Sequence, residues 1–452
     1  MVVPRGHTIL TFAEAFSWRL SQLSWGDLAR RTAADVHPPL YYLLLKLWVG
    51  LFGDSVAALR GFSALLEIVA IVAVFAAACA WGRPGGMGRD SRRAGYAAGL
   101  LAALLLALNP LQVTMGLNTR MYALGIALSA IALTALGTAL GDPERSGRAW
   151  FVYLIAASAS LWTHNFALFT IAAQSIVAAV LILLRRRDDE GGRSSRRRDL
   201  KRLILVTLGI GLFYTPWVAV LAWQVRDVAA DYWIQSPEQL EFVIELTGWA
   251  SGARNLGFVE RLAWCVLPAG LVIAALLRKD FAVLGLLVIA LLPWAGCLAA
   301  QWLLGRPLYQ LRYLSFAQAA WMVFLGLGTV RLPNRLTRWT VAIALVATAA
   351  LGLTDWAEQV RQSTAGPSAL AQAIAEGFQA MARGMPQRTH AHAFRRAEAS
   401  GSAVCIRALG QRMRDLAVHY QNRNIVAQRN KSHLLAIAID QQCVGRAAHH
   451  AR

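Results

Sequence analysis

Carboxylates are the scarce residues of this chain: 25 Asp and Glu stand against 45 Lys and Arg, for a net charge of +20 and a pI near 10.8. Charge of either sign is thin, at 15% of 452 residues, while 57% are hydrophobic and the mean hydropathy is +0.44. A soluble fold is excluded, because the apolar residues come in long blocks rather than at the spacing of a core with a solvated face. In a soluble chain such a positive excess would point to nucleic acid. Here most basic residues sit in short connections between apolar blocks, where Lys and Arg mark the cytoplasmic side, and no nucleic-acid partner is expected. Cysteine is also sparse. Cys79, Cys265 and Cys297 lie inside apolar blocks and read as small hydrophobes, and Cys405 and Cys443 are far apart, so there is neither a disulfide framework nor a metal spacing. Internal repeats and a pair of Gly/Pro-broken helices are absent too, which argues against a transporter with a midplane site.

Long apolar runs are what the chain has in abundance. A helix needs about 20 apolar residues to cross the hydrocarbon layer, since its amides must bond internally where no water reaches. Stretches meeting this run over 55–82, 93–110, 120–141, 149–163, 166–185, 202–223, 259–278, 280–304, 312–329 and 337–354. Charge sorts their connections. Arg83, Arg89, Arg92 and Arg93 fall in one, the run from Arg185 to Arg202 in a second, Arg278 and Lys279 in a third, and Arg331, Arg335 and Arg338 in a fourth, all on one side. The opposite connections, 109–120, 164, 224–258 and 305–312, are richer in Trp, Tyr, His and carboxylates and face outward by the positive-inside rule. The expected fold is all-α, a multi-pass transmembrane helical bundle of about ten spans in the cell (inner) membrane, with its active face extracytoplasmic.

Three regions follow: a first extracytoplasmic loop over 1–54, a transmembrane core over 55–354 and a basic C-terminal tail over 355–452. Residues 39–53 are apolar but would reach only about 21 Å as a helix, short of a roughly 30 Å hydrocarbon core, so they are expected to lie along the surface. Lys46 would snorkel there, and Tyr41, Tyr42 and Trp48 suit the headgroup zone. Residues 18–31 alternate at helical spacing and form a second expected interfacial helix. In the tail, aromatics are scarce, Arg and His are frequent and no window approaches span length, so it is expected to be poorly ordered.

The sharpest local signal is DVHPPLYY, from Asp35 to Tyr42. Two prolines can open a helix but not sit inside one, so His37 and Asp35 are held on a rigid lead-in at the outer surface; a plain helix start is the competing reading. Arg120 lies where a span meets the outer surface, and an ionisable residue there is a functional candidate, with anchoring as the alternative. His164 sits between two apolar blocks with almost no loop to solvate it. It either bonds a ligand or caps the turn.

Residues 13–65, through DVHPPLYY, resemble the first outer loop of the C-fold (GT-C) membrane glycosyltransferases, the superfamily of protein O-mannosyltransferases, aminoarabinose transferases and bacterial lipopolysaccharide-core galacturonosyltransferases. Further matches come in order: Asn109-Pro110, Thr119-Arg120-Met121-Tyr122, Thr163-His164, Tyr214-Thr215-Pro216-Trp217 and Arg312-Tyr313-Leu314. The resemblance covers about residues 10–330. It implies transfer of a sugar, hexosyl or pentosyl, from a polyprenyl-phosphate carrier to a lipid, glycan or protein acceptor outside the cytosol, where nucleotide sugars are absent. A carboxylate would take the acceptor's proton while cations hold the leaving phosphate.

Carried over residue by residue, the family's acidic pair, usually Asp-Glu, falls on Ala13-Glu14, which leaves Glu14 or Asp35 as catalytic candidates. A family carboxylate two residues before the Arg120 position is Asn118 here, able to orient a hydroxyl but not to act as a base. Arg312 with Tyr313 resembles the phosphate-contacting pair, Arg being suited by its bidentate fork. His37, Lys46, Arg60, Arg120, Tyr122 and His164 complete the set expected to bind substrate or phosphate. Some relatives use a divalent metal; no ligand cluster is firm enough to predict one, and no cofactor is expected. Family members carry a span just before the acidic pair, and restoring it would make eleven spans. A non-catalytic relative that binds or transports lipid-linked sugar is the alternative reading. The connection from Gln224 to Glu260, with Tyr232, Trp233 and Trp249, is expected to select the acceptor, an interfacial aromatic belt accounting for these aromatics equally well.

Overall fold

The structure, a computed structural model, describes residues 10–82, 89–142, 145–184, 190–227, 239–253, 256–305 and 310–382. The chain divides into two compact units, Ala13–Asp355 and a second assembled from Met1–Phe12 and Trp356–Arg452. The candidate site lies within the first. Among the described residues there is no strand, and the helices run α1 (Phe12–Ser21), α2 (Trp25–Ala34), α3 (Leu40–Phe52), α4 (Val56–Trp81), α5 (Arg89–Leu108), α6 (Pro110–Leu117), α7 (Tyr122–Gly141), α8 (Ser146–Thr163), α9 (Ala167–Leu184), α10 (Glu190–Asp227), α11 (Gln239–Ser251), α12 (Phe258–Leu277), α13 (Phe281–Leu304), a 3-10 turn (Leu311–Ala317), α14 (Gln318–Val330) and α15 (Arg335–Ala382).

Each expected span is a helix, and nine of them are long and apolar enough to cross a membrane. The exception is α8, where Arg148, Ser158, Ser160 and Thr163 dilute the apolar run; it packs against α7 and α10 instead. Two expectations are corrected. The stretch 18–31 is not one interfacial helix but two, α1 and α2, broken where the Ser24 hydroxyl accepts the Asp27 N–H and starts a new helix. The outer connection 109–120 contains α6, opened by Asn109 as N-cap with Pro110 at the first helical position. The segment after 355 begins as helix, since α15 runs on to Ala382; residues 383–452, with Cys405 and Cys443, lie outside the described residues, as do Tyr232 and Trp233. The short apolar stretch forms α3, at 13 residues only about 20 Å long.

Burial orders the bundle. The span of α7 is 72% buried and forms its centre between α4 and α8, whereas that of α15 is 17% buried and presents Leu336, Trp339, Ile343 and Leu351 outward. Lipid is as apolar as these side chains, so helices associate through close packing of small residues and through polar bonds between helices. Both are present. The Trp81 indole N–H donates to the Leu133 carbonyl at 2.9 Å, Ser129 Oγ to the Phe316 carbonyl at 2.8 Å and Thr134 Oγ1 to the Ala73 carbonyl at 2.9 Å. Where α14 crosses α5, Gly326 lies so close to the Ala98 carbonyl that no Cβ fits.

Gly326→Ala therefore forces that crossing apart and is expected to cost about 1–3 kcal/mol, read as a lower thermal midpoint in detergent. Gly270→Ala on α12, where a new Cβ meets nothing within 4 Å, should raise the midpoint through helix propensity. Equal shifts in the two variants would contradict this packing.

Candidate functional site

Four segments meet at the ends of α4 and α7 opposite the arginine-rich connections. They are the α2–α3 lead-in with Asp35 and His37, the Asn118–Met121 turn before α7, the His164 turn between α8 and α9, and the 3-10 turn carrying Arg312 and Tyr313.

Glu14 anchors the second of these, the turn before α7. It has no exposed surface, and Arg60 of α4 grips it with both forks, Nε to Oε1 at 2.8 Å and Nη2 to Oε2 at 2.9 Å. The Thr119 amide also donates to Oε1 at 3.3 Å, and one residue on, Arg120 Nη1 donates to the Ala13 carbonyl at 3.4 Å. Both carboxylate oxygens are thus engaged, and the pair ties α1 to α4 and to the turn presenting Arg120. Among the described residues Arg120 has no ion-pair partner, and its field acts on Asp35, Tyr42 and Tyr122.

His37 Nδ1 lies 3.0 Å from Asp35 Oδ2, and the aspartate retains 30% side-chain exposure where the histidine keeps 9%. Burial, with the Arg120 and Arg312 charges behind it, holds His37 below the ordinary imidazole pKa despite the stabilising carboxylate. Asp35 is held below the usual carboxylate range: its desolvation is outweighed by the His37 hydrogen bond and the nearby positive charge. At neutral pH the dyad is therefore neutral imidazole and carboxylate. The carboxylate fixes the proton on Nδ1, so the lone pair is on Nε2.

Polar side chains grip the backbone of this lead-in. Gln224 of α10 donates to the Ala33 carbonyl at 3.0 Å and makes a close contact with the Asp35 carbonyl, while Asn165 donates to the Val36 carbonyl at 3.1 Å and accepts from the Tyr214 hydroxyl at 2.8 Å.

His164 caps the end of α8, its Nδ1 accepting the Phe166 N–H at 3.1 Å. Nε2 then carries the proton, and this buried donor has no partner. Burial first, then the positive field of His37, Arg120 and Arg312, holds the ring well below the ordinary pKa, so it stays neutral. Around it stand Tyr313 at 5.1 Å, His37 and Phe316 at 5.3 Å, Phe166 at 5.6 Å and Tyr122 at 5.9 Å between ring centroids. The Arg312 guanidinium lies over the Tyr313 ring at 5.6 Å. The hydroxyl of Tyr42, its pKa pushed up to about 12 by burial, is a second buried group without a partner. Unpaired buried donors cost about 1–3 kcal/mol each, so two beside two guanidiniums make a site suited to an anion.

No protein-family model matches the chain, and no curated protein does. The chain is similar to ArnT. Two crystal structures of ArnT from Cupriavidus metallidurans match it, one in the apo state at 15% identity and TM-score 0.48, covering 88% of this chain and 66% of that one. The other, bound to undecaprenyl phosphate, matches at 14% identity and TM-score 0.49, covering 97% and 72%. The chain thus spans just under two thirds of the first ArnT chain's length. At these values the likeness assigns no residue and no reaction here.

Of the residues expected from sequence, Asp35, His37, Arg120, Tyr122, His164, Arg312 and Tyr313 come together. Glu14 and Arg60 lie beside them as a closed pair. Lys46 is elsewhere, its ammonium donating to the Ser21 carbonyl at 3.1 Å and lying over the Trp25 ring at 5.4 Å. Asn118 caps α6 and spends its amide on the Thr114 carbonyl at 2.9 Å. Trp249 is buried, its indole N–H donating to the Leu314 carbonyl at 3.0 Å. Gln224, Asn165 and Tyr214, which hold the lead-in, are not among the expected site residues, although Tyr214 opens a matched motif and Asn165 follows one. Among the described residues no group of three or more His, Cys, Asp and Glu side chains could hold a metal ion.

The Glu14–Arg60 pair makes a stability prediction. Breaking a buried pair strands a charge and costs about 3–5 kcal/mol, so Glu14→Gln should lower the thermal midpoint by several degrees and the Glu14→Gln/Arg60→Met double variant should recover part of the loss. A Glu14→Gln protein as stable as wild type would contradict the closed pair.

Proposed function

We propose that this chain is a membrane glycosyltransferase of the C-fold type, moving a sugar from a polyprenyl-phosphate carrier to an acceptor hydroxyl at the outer face of the membrane. The observation that carries the reading is the convergence of Arg120, Arg312 and two unpartnered donors, on His164 and Tyr42, with a His37–Asp35 dyad whose Nε2 is basic at neutral pH. The order of the matched sequence motifs supports the same reaction class.

In this reading His37 Nε2 takes the acceptor's proton as its oxygen attacks the anomeric carbon, and Asp35 fixes the tautomer and stabilises the imidazolium that forms. The bond between the anomeric carbon and the phosphate oxygen breaks, and both its electrons leave on polyprenyl phosphate. Arg120 and Arg312 hold the developing charge, with Tyr42 and His164 supplying hydrogen bonds. Tyr122, Tyr313 and Phe166 offer faces on which a sugar ring can stack. Glu14 is then a positioning residue: it is already saturated by Arg60 and Thr119, and its work is to set the turn that presents Arg120. The outward orientation follows from the charge of the connections.

The test is transfer of radiolabel from a polyprenyl-phosphate sugar by the full chain in lipid nanodiscs. His37→Ala is expected to lower the rate about 10²–10⁴-fold, as loss of a general base does. Arg120→Ala and Arg312→Ala should lower both rate and donor affinity. Because the His37 pKa is depressed, the wild-type rate should hold as pH falls to 6.5 and drop only below it, when Nε2 is protonated. Unchanged transfer in all three variants, or a limb above pH 6.5, would contradict the assignment. Donor binding without transfer would favour the non-catalytic alternative.

A further inference from the structure

The arginine-rich end of the bundle holds a cavity far from the candidate site: α4 and α7 each begin at the site and end here, and at 26 residues α4 is about 39 Å long. The cavity is open and measures about 1120 Å³. Its lining combines apolar side chains, among them Leu140 of α7, Leu181 of α9 and Phe281 of α13, with the cations Arg278, Lys279, Arg331 and Arg338. Asp280 does not cancel all of them. It is gripped by Arg331 at 2.6 Å through both oxygens and also caps α13 by accepting the Val283 N–H. Asp90, the other carboxylate in the lining, is exposed at the start of α5.

The guanidiniums are fixed rather than loose. Arg278 donates to the Arg331 carbonyl, Arg331 to the Trp81 carbonyl and Arg338 to the Leu332 carbonyl, each bonding one carbonyl near a helix end. An arginine has five N–H donors, so these bonds hold the side chain while leaving donors for a ligand.

Lys279 is a second, independent pointer. Helix α12 ends in a Schellman cap: the Lys279 N–H bonds the Leu276 carbonyl at 3.1 Å and the Asp280 N–H bonds the Ala275 carbonyl at 2.9 Å. This geometry puts the capping residue in the left-handed region, normally glycine's place, yet lysine is there with φ of 54°. Among the described residues it is the one non-glycine with positive φ. A strained lysine where glycine would serve the backbone better marks a position kept for its side chain, and this residue lines the cavity.

We propose that this cavity binds the phosphate headgroup of an anionic membrane lipid, with Lys279, Arg278 and Arg338 around the phosphate and the acyl chains against Leu140, Leu181 and Phe281. The apolar side chains of the lining select a lipid over a free phosphate, and the cations lie at the end of the bundle where headgroups would be.

Thermal midpoints of the full chain in neutral detergent test this, titrated with short-chain phosphatidylglycerol, with phosphatidylcholine, or with inorganic phosphate. Phosphatidylglycerol should stabilise the wild type at concentrations where the other two do not. Lys279→Gln and Arg338→Gln should each weaken this by about fivefold, and together by roughly twentyfold. Lys279→Gly separates folding from binding: it should raise the lipid-free midpoint by relieving the backbone, yet weaken phosphatidylglycerol binding as Lys279→Gln does. Equal stabilisation by phosphatidylcholine, unchanged binding in the double variant, or an equal effect of inorganic phosphate would overturn the proposal.

Discussion

A carboxylate with no exposed surface needs a counter-charge, and the bidentate grip of Arg60 on Glu14 is the contact on which the candidate site rests. Glu14 is on α1 and Arg60 on α4, so the pair docks the first loop onto the bundle. The oxygen shared with the Thr119 amide brings in a third segment, and the Ala13 carbonyl then receives Arg120. A guanidinium at the surface of an apolar bundle is thus aimed by bonds made to its neighbours in sequence, leaving its own charge for a ligand.

The same division of labour recurs around the dyad. Gln224 and Asn165 bond backbone carbonyls of residues 32–36, not the functional side chains, and Tyr214 fixes Asn165 in turn. Polar groups inside a membrane protein are costly unless satisfied, and these bonds engage the Gln224 amide nitrogen and both ends of the Asn165 amide. The buried donors of His164 and Tyr42, by contrast, have no partner, and both lie in the field of Arg120.

The spans were legible in the sequence because length and hydropathy alone decide them: α7 and α13 need no knowledge of their neighbours. The break between α1 and α2 was missed because a helical repeat persists through it, although Ser24 with Asp27 three residues on is a readable start signal. Asn109-Pro110 likewise announces α6, an N-cap followed by a proline at the first helical position. At the site, Asp35, His37, Arg120, His164 and Arg312 could be picked by residue type and place in the topology. That Glu14 is closed off could not, since it depends on Arg60, 46 positions later. Nor could the roles of Gln224 and Asn165, whose partners are backbone carbonyls brought near only by the packed bundle.

The central claim is that the cluster of Arg120, Arg312, His164 and Tyr42 receives a lipid-borne phosphate beside His37. A structure of the chain in nanodiscs with polyprenyl phosphate tests it most directly. The account predicts the phosphate oxygens within hydrogen-bond distance of both guanidiniums and of His164 Nε2, with the Glu14–Arg60 pair unchanged. A phosphate bound at Lys46, or one that draws Arg60 away from Glu14, would contradict it.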